Sequence, residues 1–187
     1  MALTKRTEWR TLDRFIEEVR EAWGDGKDPA LPFRVRTFME RFIAASADEP
    51  WVAQLIREAL PGRELYRDPD HGFILMGHIH KGAHQTSPHD HGPCWVLYGV
   101  ALGEIEITTY SRTDNGRVPG RATLEEKDRA RLTPGVVKAY LPKDIHATRA
   151  IDPTASLVFR FLSTDLNQVE RYRYDLETGS VSRHQGS

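Results

Sequence analysis

The sequence predicts a mainly β protein, an antiparallel sandwich or closed barrel with a short helical segment ahead of it. Two observations predict this. Apolar residues recur with a helical period over the first third of the chain, and the period falls to two from about Glu64 onward. In that second part, short runs rich in β-branched and aromatic residues are separated by Gly, Pro, Asn and Asp. At 187 residues the chain is one domain, or one domain with an appendage, and long enough to bury a core.

Taken in order, Leu12, Phe15, Ile16, Val19 and Trp23 form one stripe of a first helix, ended by the turn-rich "GDGKDP". Val35, Phe38, Met39, Phe42 and Ile43 repeat the stripe in a second. A third starts at Ser46, with Glu49 three residues on as in a capping box, shows Trp51, Val52, Leu55, Ile56 and Ala59, and stops at Pro61-Gly62. The candidate strands are "FILMGHIH", "CWVLYGVAL", "EIEITTY", "RARL", "VVKAYL", "SLVFRF" and "ERYRYDL". "TDNGR" and "LTPG" read as hairpin turns. The implied layout is a helical segment over 1–62 packed on a barrel over 63–178, followed by a loose tail over 179–187.

Composition narrows the partners. Acidic and basic residues nearly cancel, 27 against 26, so no strong field is available for nucleic acid or anionic lipid, and a small-molecule partner is expected. The opening "MALTKRTEWR" has no apolar run of the signal-peptide kind, and "WVLYGVAL" is too short to span a bilayer, so the expected location is the cytoplasm. A single cysteine, Cys94, offers neither an internal disulfide nor a zinc-thiolate set. Any metal chemistry therefore falls to histidine.

The stretch "TSPHDHGPCW" places His89 and His91 two apart. In an extended strand that spacing puts both imidazoles on one wall, where they can share a divalent ion. Two imidazoles hold a metal poorly, so a third ligand is required. Asp90 points away from both and is read as a turn or outer hydrogen-bond acceptor. His78 and His80 also stand two apart, but no third ligand is placed beside them, and lining roles are expected for them.

Gly82, the "HDH" at 89–91, Gly99 and Gly103, a further hairpin and then "PKDIH" together resemble the two-part signature of the cupin superfamily, over about Tyr66 to Phe161. The resemblance implies a jelly-roll barrel, with His146, 55 positions after His91, completing a metal site with His89 and His91. Within that superfamily "SPHDHGPCWVLYGVALGEIE" is similar to the cysteine dioxygenase-like thiol dioxygenases. Where most cupins add a glutamate after the second histidine, Trp95 and Val96 stand here, so the carboxylate is missing. The resemblance implies Fe(II), with Zn or Ni as other occupants, and O2-dependent oxidation of a small anionic thiol acid, cysteine, 3-mercaptopropionate or similar, to a sulfinic acid.

Departures from that branch shape the remaining expectations. Its Ser-x-His-x-Tyr relay corresponds here to Ser156, Val158 and Arg160, so only the serine is kept and a guanidinium replaces the phenol. Ser156 and Arg160 are the expected catalytic residues, with Arg160 turned inward to grip an anionic group. Arg63 and Arg67, upstream of the histidine pair, are candidates for the substrate carboxylate, and Trp95 and Tyr98 for core or pocket wall, with Trp95 expected to touch substrate. Cys94 stands three residues after His91 rather than five, and a thioether cross-link is not expected. Two readings compete: a non-catalytic cupin that binds a small ligand, and a metal-dependent isomerase or hydrolase. The oligomeric state, a homodimer included, stays open.

Overall fold

The computed structural model describes residues 9–82 and 84–184. Three helices come first: α1 (Arg10–Trp23), α2 (Leu31–Ser46) and α3 (Pro50–Glu58). Ten strands follow: β1 (Arg63–Arg67), β2 (Ile74–His80), β3 (Val96–Leu102), β4 (Ile105–Arg112), β5 (Leu124–Leu132), β6 (Val137–Tyr140), β7 (Ile145–Ala150), β8 (Ser156–Leu162), β9 (Tyr172–Tyr174) and β10 (Val181–Arg183). No helix among the described residues is long and apolar enough to cross a membrane.

All the named strand pairs are antiparallel. One sheet has the order β1-β2-β8-β3-β6, and a second β5-β4-β7. Single bridges continue the second sheet, as Gln85 pairs with Arg149, His89 pairs with His146 on one side and Arg173 on the other, and β9 then pairs with β10. The chain crosses between sheets at β3 to β4, β5 to β6, β6 to β7 and β7 to β8, which is a jelly-roll winding.

Strand β8 separates two cores. Alternation sends Leu157, Phe159 and Phe161 outward to the helices, where Phe159 meets Phe42 at 5.2 Å and Trp51 at 5.9 Å between ring centroids. Val158 and Leu162 face inward with Val96, Val100, Ile105 and Ile107. Close approach of α2 to the outer sheet depends on Gly99, where a Cβ would stand 2.5 Å from Ile43 Cδ1 and 3.0 Å from Met39 Cε. Gly99→Val should therefore lower stability by about 1 to 3 kcal/mol through overpacking. An unchanged urea midpoint would show that the helices do not rest on this strand.

Several local expectations are corrected. Ser46 does not cap α3: it ends α2, its hydroxyl donating to the Ile43 carbonyl, and Glu49 instead accepts from Trp51 Nε1. The "TDNGR" stretch does connect the β4–β5 hairpin, but within a long loop over 113–123, with Asp114 accepting from Gly116 N and Thr123 N. "LTPG" turns the chain from one sheet to the other instead of closing a hairpin. "RELYR" and "IHATRA" are strands that periodicity did not single out. In the expected loose tail, 181–183 pair with β9, while 185–187 lie outside the described residues.

Candidate metal centre and cavity

The antiparallel bridge between His89 and His146 sets the site. Each backbone N–H donates to the other residue's carbonyl at 3.0 Å, so the two side chains start from directly opposed positions. His91 follows at strand spacing, while Asp90 between them faces away. Its carboxylate accepts from Gly92 N at 2.8 Å, Tyr172 N at 3.3 Å and the Tyr174 hydroxyl at 2.8 Å. The chain then turns at Gly92, whose φ of 57° favours glycine and where a Cβ would stand 2.2 Å from the Glu170 carbonyl oxygen. Asp90→Ala removes three hydrogen bonds from a buried loop. It should cost about 2 to 4 kcal/mol and loosen the ligand pair, seen as lower stability together with weaker metal retention.

The three imidazoles form a near-equilateral triangle, with centroid separations of 5.0 Å for His89–His91, 4.9 Å for His89–His146 and 5.0 Å for His91–His146. One nitrogen from each lies within 4.8 Å of the others. All three are buried. His89 Nδ1 lies 2.9 Å from the Ser87 carbonyl, which leaves Nε2 as the ligating atom. His91 Nε2 and His146 Nδ1 are buried with no hydrogen-bond partner. Unpartnered buried nitrogens cost free energy, and a metal ion removes that cost. The donor set fits a divalent ion on one face, with open positions left over.

Burial keeps these rings neutral. It lowers His89 to about 4, and lowers His91 and His146 well below the ordinary histidine value, with neighbouring histidines and Arg160 adding to the shift. Neutral imidazole is the ligating form. The same shifts set a pH dependence for metal-free protein. Between the unfolded value near 6.5 and the folded value, the unfolded chain takes up protons that the folded chain refuses, so stability falls as pH falls. His89 alone contributes up to about 1.4 kcal/mol per pH unit in that window. Urea midpoints that stay flat from pH 7 to about 4 would contradict it.

A cavity of about 730 Å³ opens onto His89. Arg160 lines it, half-buried, with its Nε hidden and without a hydrogen-bond partner. Register places Arg160 between Met76 of β2 and Tyr98 of β3, both also in the lining. Tyr98 is buried, and its hydroxyl lies 3.4 Å from His146 Nε2. Burial pushes that phenol up, and Arg160 beside it pulls the other way. Cys94 is a free, buried thiol on Ser163 and the Thr164 carbonyl, outside the cavity.

Four expected site residues lie elsewhere. Ser156 donates its hydroxyl to the Glu104 carbonyl at 3.0 Å, at the far end of β8, and does not line the cavity. Arg63 is ion-paired with Glu58, and Arg67 with Glu64 and Asp165 at 2.7 Å each. Both stand on the edge strand outside the cavity. Trp95 shares the parity of Leu97 and Gly99 and faces the helices, stacking on Phe161 at 5.2 Å with Trp23 at 5.9 Å. In their place the ladder of β9 and β10 brings Arg171, Arg173 and His184 to the cavity. The Arg-x-Arg spacing in "ERYRYDL" carried that signal, since residues two apart on a strand share a face; nothing marked His184.

Fold and site together define a jelly-roll protein with a buried three-histidine group able to hold a metal ion. No family model matches the chain, and no curated protein matches it. Among solved structures it is similar to the Schizosaccharomyces pombe Cnp3 cupin domain, at 12% identity and a TM-score of 0.43, covering 56% of this chain and 64% of that one. It is also similar to the DMSP lyase DddQ from Ruegeria pomeroyi, at 17% identity and 0.43, covering 59% and 49%, and to KdgF from Halomonas sp., at 15% and 0.42, covering 56% and 78%. The chain thus spans less than two thirds of the Cnp3 and DddQ structures. At such scores the likeness adds nothing to the strand order already described.

Proposed function

We propose that the chain is a cupin-type mononuclear iron enzyme that oxidises the sulfur of a small thiol acid to a sulfinic acid, both atoms of O2 ending on the sulfur. One observation carries the reading: three neutral imidazoles, with no carboxylate among them, beside a cavity whose lining holds no aspartate or glutamate. When bound, ferrous iron supplies open coordination positions and redox chemistry. A neutral ligand set leaves the ion's charge uncompensated and so favours a thiolate at that position. Arg160 holds the substrate carboxylate, because its half-buried guanidinium lines the cavity beside Tyr98 without a carboxylate partner and has the fork geometry for a bidentate anion. Val158 and Met76 exclude water beside it. Tyr98, opposite Arg160 in register, offers a phenol to the site although β8 carries none.

The missing relay favours a second reading, a ligand-binding protein without turnover. Oxygen consumption by anaerobically iron-loaded protein with a panel of thiol acids separates the two. Uptake with formation of a sulfinic acid supports the enzyme. Thiol-acid binding with no uptake supports the binder.

A further inference from the structure

The cavity is too large and too unevenly charged for a three-carbon thiol acid alone. Its volume, about 730 Å³, is in the range that encloses a drug-sized ligand. Elsewhere in the chain, arginines are commonly ion-paired, as at Arg20, Arg34, Arg41, Arg112, Arg129 and Arg149. Among the described residues, Arg160, Arg173 and Lys81 make no ion pair with a carboxylate; the same holds for several cations elsewhere, such as Arg57, Arg117 and Arg121, but these three gather around one cavity, with Arg173 bridged to His89. Cations left unpaired around a shared cavity are available to an anionic ligand.

These cations lie at different depths. Along β8, His80 of β2 is registered with Ser156 and Met76 with Arg160, so the His80 level lies four residues from the Arg160 level, about 13 Å along the strands. At the outer level His80 and His84 stack at 4.4 Å between centroids, next to exposed Lys81. At the inner level Arg160 stands across from Tyr98, whose hydroxyl approaches His146. Between the levels the wall carries Met76, His78 and Val158.

We infer that the ligand of this cavity is an elongated dianion, one anionic group at Arg160 beside the metal centre and a second, carboxylate or phosphate, at an outer subsite formed by Lys81, His80 and His84. The inference rests on the proposed reading of the metal centre as a site for anionic substrates, and it adds a second station to it.

Calorimetric titration of nickel-loaded protein tests this without turnover. The probes are succinate, suberate and sebacate, each paired with the monoacid of equal length: butyrate, octanoate and decanoate. Sebacate should bind at least about tenfold tighter than decanoate, succinate should show no such advantage over butyrate, and the advantage should vanish in a Lys81→Met variant. Replacing one sebacate carboxylate with a phosphate ester tells which anion the outer station prefers. If diacids never exceed their monoacids while octanoate binding still depends on Arg160, the outer station is overturned and the metal-centre reading stands. If no acid binds and thiol acids cause no oxygen uptake, that reading falls and the dianion with it.

Discussion

His146→Ala should leave the protein folded but unable to retain a metal ion. Removing one of three ligands should weaken metal affinity by well over the 10- to 100-fold seen when only an outer hydrogen bond to a ligand is lost. The fold should survive, because the mutual 3.0 Å backbone bonds between His89 and His146 belong to the main chain and persist with alanine. His184→Ala is the matched control: its ring lies 5.9 Å from His89, yet it is not one of the clustered ligands. Elemental analysis with a thermal melt on each variant checks both statements. One equivalent of metal in the purified His146 variant would sink the three-histidine centre.

Arg160→Met carries the second large effect. If a buried charge pair with the substrate is broken, affinity should fall by about 2 to 5 kcal/mol, roughly 30- to 5,000-fold. Stability of ligand-free protein should hold or rise, since a half-buried guanidinium with a hidden unpartnered Nε is replaced by an apolar chain of similar length. That opposition separates a binding role from a structural one. Arg63→Met and Arg67→Met should leave affinity unchanged, because both side chains are ion-paired away from the cavity. Loss of affinity in those two, with Arg160→Met silent, would transfer the anion site to the edge strand.

How much of this was legible depended on whether a feature is local. The stripe Leu12, Phe15, Ile16, Val19 and Trp23 names the buried face of α1, because one helix face meets one surface. The His-x-His pair was legible for the same reason, its geometry being internal to the strand. β7 was not: "IHATRA" has little alternation, with all but Arg149 buried, and it becomes a strand through its neighbours β4 and His89. The arginines failed differently. Arg63 and Arg67 stood in the right stretch, but which face of an edge strand looks inward follows from sheet order, and their carboxylate partners Glu58 and Asp165 come from outside that strand. Of Trp95 and Tyr98, both read as core or pocket wall, parity sends Trp95 to the helix-facing core and away from any substrate, and Tyr98 to the cavity.

The Asp90 knot has a consequence for how the protein is made. Its carboxylate holds the His89–His91 turn through Tyr172 and Tyr174, and the cavity wall is finished by Arg171, Arg173 and His184. A ribosome releases the two early histidines long before those residues exist. During synthesis at about 5 to 20 residues per second, the nascent chain therefore spends several seconds with His89 and His91 present and their support absent. A metal acquired in that interval would sit on an unbraced pair, so stable loading belongs after translation has passed residue 184, when the turn is tied down.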